Sequence, residues 1–116
     1  MSSRNNRIDY IEFNVGDIEV SKAFYGKAFG WTFKDYGAAY CEFSDGRLTG
    51  GFTTTAPVNA KGGALIILFA DDIEAARTRV EDAGGRVTVP IFNFPGGRRF
   101  HFEDKDGYEL AVWSDQ

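Results

Sequence analysis

The first apolar segment of the chain alternates between apolar and polar residues with a period of two. Every second residue from Ile11 to Val15 is apolar, and the intervening positions carry Tyr10, Glu12 and Asn14. This period predicts a β-strand with one buried face. The side chains on its other face are polar, and they are therefore the first candidates for a functional surface.

A strand–helix pattern occurs twice in the chain. The tripeptide Asp-Ile-Glu at residues 17–19 recurs at residues 72–74, and Gly30 recurs as Gly85, each at a shift of 55 residues. In each copy the aspartate is predicted to cap a helix that ends at the glycine. The second copy opens with residues 64–70, an almost wholly apolar run that predicts a strand buried on both faces.

Shorter β segments follow each helix. They are predicted at residues 31–34, 38–43, 48–53, 86–89, 98–103 and 108–113. Residues 54–63 are polar and contain Gly and Pro, so we interpret them as a linker. The chain, residues 1–116, is therefore predicted to be a single α+β domain of two βαβββ modules that form a cupped mixed sheet, with module 1 at about 8–53 and module 2 at about 64–113. The sheet faces opposite the helices, called the inner faces here, must pack together or surround a cavity, either within one chain or across a dimer.

Composition excludes several classes of function. The 116 residues are 43% hydrophobic and 26% charged, which is typical of a globular domain. The formal net charge of −4 offers no basic face for nucleic acid, so no nucleic-acid partner is expected. No apolar run is long enough to span a bilayer, and no membrane partner is expected either. Cys41 is the single cysteine and cannot form an intrachain disulfide, which favours a cytoplasmic location.

Three stretches, in their order and spacing, resemble the vicinal-oxygen-chelate superfamily, which includes glyoxalase I, extradiol dioxygenases, and fosfomycin- and bleomycin-resistance proteins. YIEFNVGDIEVSKAFYGKAFGW resembles the family's opening strand and helix, and LFADDIEAARTRVEDAGGRV resembles their second-module equivalent. RRFHFEDKDGYELAVW resembles the closing hairpin, with Lys105 where a proline is common. The resemblance covers residues 8–113. It implies the glyoxalase/bleomycin resistance/dioxygenase fold, and chains of this family and length commonly pair their modules across two subunits.

The resemblance also implies where a divalent metal would be held. Family members that bind one draw their ligands from four strand positions, which here are Tyr10, Gly50, Leu65 and Ala111. Three of these side chains have no donor atom, and a neutral tyrosine is a poor metal ligand. We therefore predict no metal and no other cofactor. The alternative is a metal-dependent lyase or dioxygenase with relocated ligands, for which Glu12, Glu42 and His101 form a legitimate set.

Strand alternation predicts which polar side chains share the inner faces. They are Tyr10, Glu12, Asn14, Tyr40, Glu42, Arg99, His101, Glu109 and Trp113. Glu12, as a general base with a raised pKa, and His101 are the candidates for acid–base catalysis, and the others are candidates for ligand binding. The structural alternative for Glu12 is a buried pair with Arg98, Arg99 or a backbone amide. The alternative for His101 is a strand histidine with its ring in solvent or bonded to a neighbour. Fosfomycin-resistance proteins place a substrate-contacting tyrosine at the position of His101.

These observations predict a metal-free member of the superfamily that binds a small, partly aromatic or apolar organic molecule. It acts either by sequestration or by metal-independent acid–base chemistry. A homodimer is expected, because each module leaves a sheet face and edge strands that a second copy can cover. A purely structural or partner-binding role is a third possibility, against which the polar residues of the inner faces argue, since a structural core favours apolar packing.

Overall fold

The two copies seen in the sequence are two βαβββ units in the computed structural model, which describes residues 4–116. The first unit contains β1 (Tyr10–Asn14), α1 (Ile18–Phe29), β2 (Thr32–Asp35), β3 (Tyr40–Ser44) and β4 (Thr49–Thr53). The second contains β5 (Ile66–Phe69), α2 (Ile73–Asp82), β6 (Arg86–Phe94), β7 (Gly97–Glu103) and β8 (Glu109–Ser114). The predicted α+β fold class is confirmed.

Each unit forms its own four-stranded mixed sheet. The strand order is β1-β4-β3-β2 in the first sheet and β5-β8-β7-β6 in the second. The first strand of each unit pairs in parallel with the last, and the remaining pairs are antiparallel. The two sheets therefore have the same topology, as the internal repeat predicts, and β1 and β5 are edge strands of separate sheets.

The predicted aspartate caps set where both helices begin. The Asp17 carboxylate accepts from the backbone N–H groups of Glu19 and Val20 at 2.9 and 3.3 Å. Asp72 accepts from that of Ala75 at 3.1 Å. These bonds satisfy amide groups of the first helical turn that have no intrahelical partner. Neither helix within residues 4–116 is long and apolar enough to cross a membrane.

One hydrophobic core serves both units. The cluster of buried residues includes Phe13 and Phe52 from the first sheet together with Phe100 and Phe102 from the second. Phe24 of α1 lies between the units, and its ring centroid is 6.1 Å from that of Phe102. Because the helix-side faces of both sheets point into this shared core, the two inner faces of one chain point away from it and away from each other.

The strand that follows the linker is less buried than the sequence predicts. Leu65, Ile67 and Phe69 are 37%, 43% and 50% exposed. The prediction that this segment is buried on both faces is therefore wrong for a single chain. The physical reason is that β5 is an edge strand whose helix side alone is covered by the core, so a row of large apolar side chains stays in contact with solvent.

The turn between β7 and β8 ties the second unit to the first. Its Asp104 carboxylate accepts from the hydroxyl of Tyr25 in α1 at 2.7 Å, and that of Asp106 accepts from the N–H of Gly16 at 3.0 Å. Tyr108, which follows the turn, donates to the carbonyl oxygen of Asn14 at 2.7 Å. Burial raises the pKa of Asp104, although Tyr25 and two backbone amides act in the opposite direction. The two aspartates of this turn therefore have a structural role.

Replacing Asp104 by asparagine removes a group that binds its proton more tightly in the folded chain than in the unfolded one. The pKa of Asp104 is higher in the folded chain than in the unfolded one, where it is about 3.9. Its proton therefore stabilises the folded chain fully below pH 3.9, and this stabilisation is lost as the pH rises through the folded pKa. We expect the free energy of unfolding of the unmodified chain to increase relative to that of Asp104→Asn as the pH falls, by about 1.4 kcal/mol for each unit of raised pKa. Urea unfolding of both chains across this pH range checks the prediction. A difference that stays constant or decreases on acidification contradicts it.

Candidate functional site

The five candidate residues of the first unit lie on one face of its sheet, the first inner face. Strand register places Glu12, Gly51 and Glu42 in one row across β1, β4 and β3, and Asn14 and Tyr40 in the next row, on either side of Thr53. Tyr10 lies two residues before Glu12 on the same strand and the same face. The two carboxylates of the first inner face therefore lie in one row, which Lys34 of β2 continues beyond Glu42.

Two tyrosines and a carboxylate form a hydrogen-bonded chain on this face. The Tyr40 hydroxyl donates to Glu12 Oε2 at 2.8 Å, and the hydroxyl oxygens of Tyr10 and Tyr40 are 2.5 Å apart. Since Tyr40 has a single proton and donates it to Glu12, Tyr10 must donate to Tyr40. Burial, followed by the hydrogen bonds to Tyr10 and Glu12, raises the pKa of Tyr40 well above its usual range, so that it stays protonated. In this arrangement Tyr10 can accept a hydrogen bond from a ligand but has no proton left to donate.

Glu12 does not form the buried ion pair that the sequence allowed as an alternative. Its side chain is exposed, because no residue between 4 and 116 covers this part of the first inner face. Arg98 instead forms an ion pair with Glu74 of α2 at 3.0 Å. Arg99 forms no ion pair with any residue between 4 and 116.

A glycine makes room for the tyrosine chain. A Cβ atom added at Gly51 would lie 2.1 Å from the Tyr40 hydroxyl oxygen and 2.8 Å from that of Tyr10. Gly51 is absent from the predicted site, in which Gly50 occupies the family's ligand position instead. That placement is wrong by one residue, because Gly50 faces the helices, where a Cβ would lie 2.2 Å from the Phe43 ring. Gly51, which takes the inner-face position, has no donor atom either. A glycine inside a strand is a recognised signal of close approach, and it could have pointed to Gly51.

The four candidate residues of the second unit lie on the corresponding side of the second sheet, the second inner face. Register pairs Arg99 with Trp113 and His101 with Ala111, and Glu109 lies two residues before Ala111. The neighbours of His101 in β7, Phe100 and Phe102, are fully buried on the helix side. The alternation read from the sequence therefore places His101 on the correct face.

His101 is held by a carboxylate on the adjacent strand. Its Nδ1 lies 2.7 Å from Glu109 Oε2, and only 12% of its side chain is exposed. A carboxylate can only accept, so Nδ1 carries the proton and Nε2 of the neutral ring is left as an acceptor. This is the geometry in which a carboxylate fixes the tautomer and orientation of an imidazole.

Aromatic side chains of the β6–β7 hairpin extend the second inner face beyond the predicted set. The sequence predicts a strand that ends at residue 89, whereas β6 continues to Phe94. The Phe92 ring centroid lies 6.1 Å from that of His101, and the Phe94 centroid lies 6.3 Å from that of Trp113. Aromatic residues at every second position after Pro90, Phe92 and Phe94, are the sequence signal that predicts a longer strand.

The inner faces of one chain do not come together. Glu12 and Glu42 lie on the first and His101 on the second, and no group of three His, Cys, Asp or Glu side chains within residues 4–116 could hold a metal ion. The relocated ligand set is therefore not assembled within one chain. A cleft of about 1000 Å³ lies between the two edge strands, lined by Ile11 and Phe13 on one side and by Phe69 and Trp113 on the other.

The sequence profile of the Glyoxalase/Bleomycin resistance protein/Dioxygenase superfamily matches residues 7–112, and the chain belongs to this superfamily. The resemblance inferred from the three sequence stretches is confirmed. Among curated proteins no sequence matches significantly.

Solved structures with the same fold have varied functions. A glyoxalase-related enzyme from Fulvimarina pelagi matches with a TM-score of 0.79 at 20% identity, over 94% of this chain and 88% of that one. Fosfomycin resistance protein FosX from Mesorhizobium loti matches with a TM-score of 0.79 at 18% identity, over 96% and 93%. Lactoylglutathione lyase from Agrobacterium tumefaciens matches with a TM-score of 0.72 at 19% identity, over 94% and 93%. At these identities the likeness shows the fold and leaves the activity to be argued from the site.

Proposed function

We propose that this protein binds a small, partly aromatic or apolar organic molecule without a metal ion, between the first inner face of one copy and the second inner face of another. The observation that carries the proposal is the chemistry of these faces. Each combines hydrogen-bonding or charged groups with aromatic rings, as ligand pockets do. The family's four metal positions supply no carboxylate, imidazole or thiolate.

The uncovered surfaces of the chain support a homodimer. The exposed apolar residues Ile67 and Phe69 lie on an edge strand, where a second copy can bury them. In such a dimer, the first inner face of each copy lies against the second inner face of the other. This arrangement closes two equivalent cavities.

Metal-independent acid–base chemistry is a second candidate function. The observation that favours it is the His101–Glu109 pair, which leaves Nε2 as a base on the second inner face. The exposed carboxylate of Glu12 on the other face supplies a second group that can exchange a proton. Simple sequestration needs neither arrangement, so a solvent-exchange test for proton transfer on a bound ligand separates the two functions.

The two tryptophans of the chain provide a direct binding test. Trp113 lies on the second inner face, whereas Trp31 is stacked on the helix side between Tyr25 and Phe43, with centroid distances of 4.5 and 4.6 Å. We expect titration with benzyl alcohol, a neutral aromatic probe, to shift the indole N–H NMR signal of Trp113 and leave that of Trp31 in place. Shifts of both signals would indicate binding in the cleft between the edge strands, which both tryptophans line, and would contradict the proposal. A Trp113 signal that does not shift would also contradict it.

A further inference from the structure

A row of four side chains crosses the whole second inner face. Strand register aligns Phe69 of β5 with Trp113 of β8, Trp113 with Arg99 of β7, and Arg99 with Phe92 of β6. The Phe69 and Trp113 rings meet edge to face at a centroid distance of 5.3 Å. Arg99 is therefore the single cation of this row and lies among aromatic rings. The row belongs to the second inner face, where the ligand is proposed to bind.

Aromatic rings hold the Arg99 guanidinium in place. Its Cζ atom lies 5.5 Å from the centroid of Phe92 and 6.0 Å from that of Phe94, which are distances of cation–π contact. These contacts confine the guanidinium against the β6–β7 hairpin. Arg99 is thus pre-organised by contacts that use none of its hydrogen-bond donors.

The donors of Arg99 lack the partner that comparable arginines have. Its Nε is fully buried and has no hydrogen-bond acceptor among residues 4–116. By contrast, Arg86 lies 2.6 Å from Glu103 and Arg98 lies 3.0 Å from Glu74. Because Nε is covered, an acceptor from outside the chain must approach the Nη groups of this half-buried side chain, which forms no ion pair among residues 4–116.

We infer that Arg99 binds the carboxylate of the ligand, and that the ligand is an aromatic or otherwise apolar monocarboxylate whose body lies against Phe69 and Trp113. A planar carboxylate can accept from the two Nη groups together, which is a bidentate contact. A single charge is favoured over a dianion such as a phosphonate, because Glu109 lies on the same face and the chain has a net charge of −4. This inference rests on the proposed function and adds the class of ligand.

The test compares benzoate with benzyl alcohol, which has a similar ring and no charge, by titration of the Trp113 indole signal. For the unmodified protein we expect benzoate to bind about 10-fold more tightly than benzyl alcohol, with phenylphosphonate weaker than benzoate. Arg99→Gln should bring the two affinities to within about 2-fold, and Arg99→Lys should keep part of the preference because the charge remains. Arg98→Gln is the matched control, since Arg98 pairs with Glu74 of α2, and it should leave the preference unchanged.

The possible failures are distinguishable. If benzyl alcohol and benzoate bind equally and Arg99→Gln changes neither affinity, the carboxylate assignment is overturned while the proposed function stands. If neither probe shifts Trp113, both are overturned. If Arg99→Gln converts a dimer into a monomer in light scattering, Arg99 pairs with a carboxylate of the second copy, and the inference is overturned in that case as well.

Discussion

Replacing Phe102 by alanine should lower the free energy of unfolding by about 4 kcal/mol, the usual cost of removing a buried phenylalanine. Phe102 is fully buried, and its ring lies between the two units, with centroids 6.1 Å from Phe24 and 5.7 Å from Phe29. The substitution removes the transfer free energy of the ring and leaves a cavity where α1 meets the second sheet. Urea or thermal unfolding followed by circular dichroism measures the loss.

The neighbouring residue supplies the control. His101→Ala removes a side chain from the opposite face of the same strand, where its main contact is the hydrogen bond to Glu109. We expect it to cost about 1 kcal/mol, which is the net value of one hydrogen bond. Similar losses for Phe102→Ala and His101→Ala would contradict the register of β7 and, with it, the whole composition of the second inner face.

Alanine at Gly50 should destabilise the protein by about 3 kcal/mol, at the upper end of the usual range for overpacking. The added Cβ would lie 2.2 Å from the carbonyl oxygen of Ile11 and 2.2 Å from the ring of Phe43. The backbone of β1 cannot move away without opening its pairing with β4, so the clash has to be absorbed by the first sheet itself.

Alanine at Gly51, one residue further along, should act mainly on the site. There the added Cβ meets the ends of the Tyr40 and Tyr10 side chains, which can rotate away. We expect a loss of about 1 kcal/mol in stability, together with clear changes in the ring NMR signals of both tyrosines as their hydrogen-bonded chain to Glu12 breaks. A variant at Gly51 that leaves the tyrosine signals unchanged, or one at Gly50 that costs no stability, would contradict the assignment of these glycines to opposite faces.

Local patterns were sufficient to predict the architecture. The two-residue period of β1, the capping aspartates Asp17 and Asp72 and the repeat of 55 residues are properties of short segments, and short segments determine which elements form. The same alternation placed His101 and Arg99 on the inner face, because a strand with fully buried residues at 100 and 102 must turn residues 99 and 101 the other way.

The remaining features depend on contacts between distant parts of the chain. Phe69 is exposed because β5 lies at the edge of its sheet. An apolar run in the sequence does not distinguish an edge strand from a central one. The hydrogen bonds that link Tyr10 to Glu12 run through Tyr40 on another strand. They can form only because Gly51, on a third strand, has no side chain. No periodicity in the sequence carries information about such a three-strand arrangement.

The proposed ligand site is metal-free and lies between the first inner face of one copy and the second inner face of another. The most direct measurement is a crystal structure of the purified protein soaked with Mn and Zn ions. We expect two equivalent cavities, each lined by Tyr10 and Glu12 of one copy and by Arg99 and His101 of the other, with no metal bound to these residues. A metal ion held by Glu12, Glu42 and His101, or a monomer with both inner faces open to solvent, would contradict it.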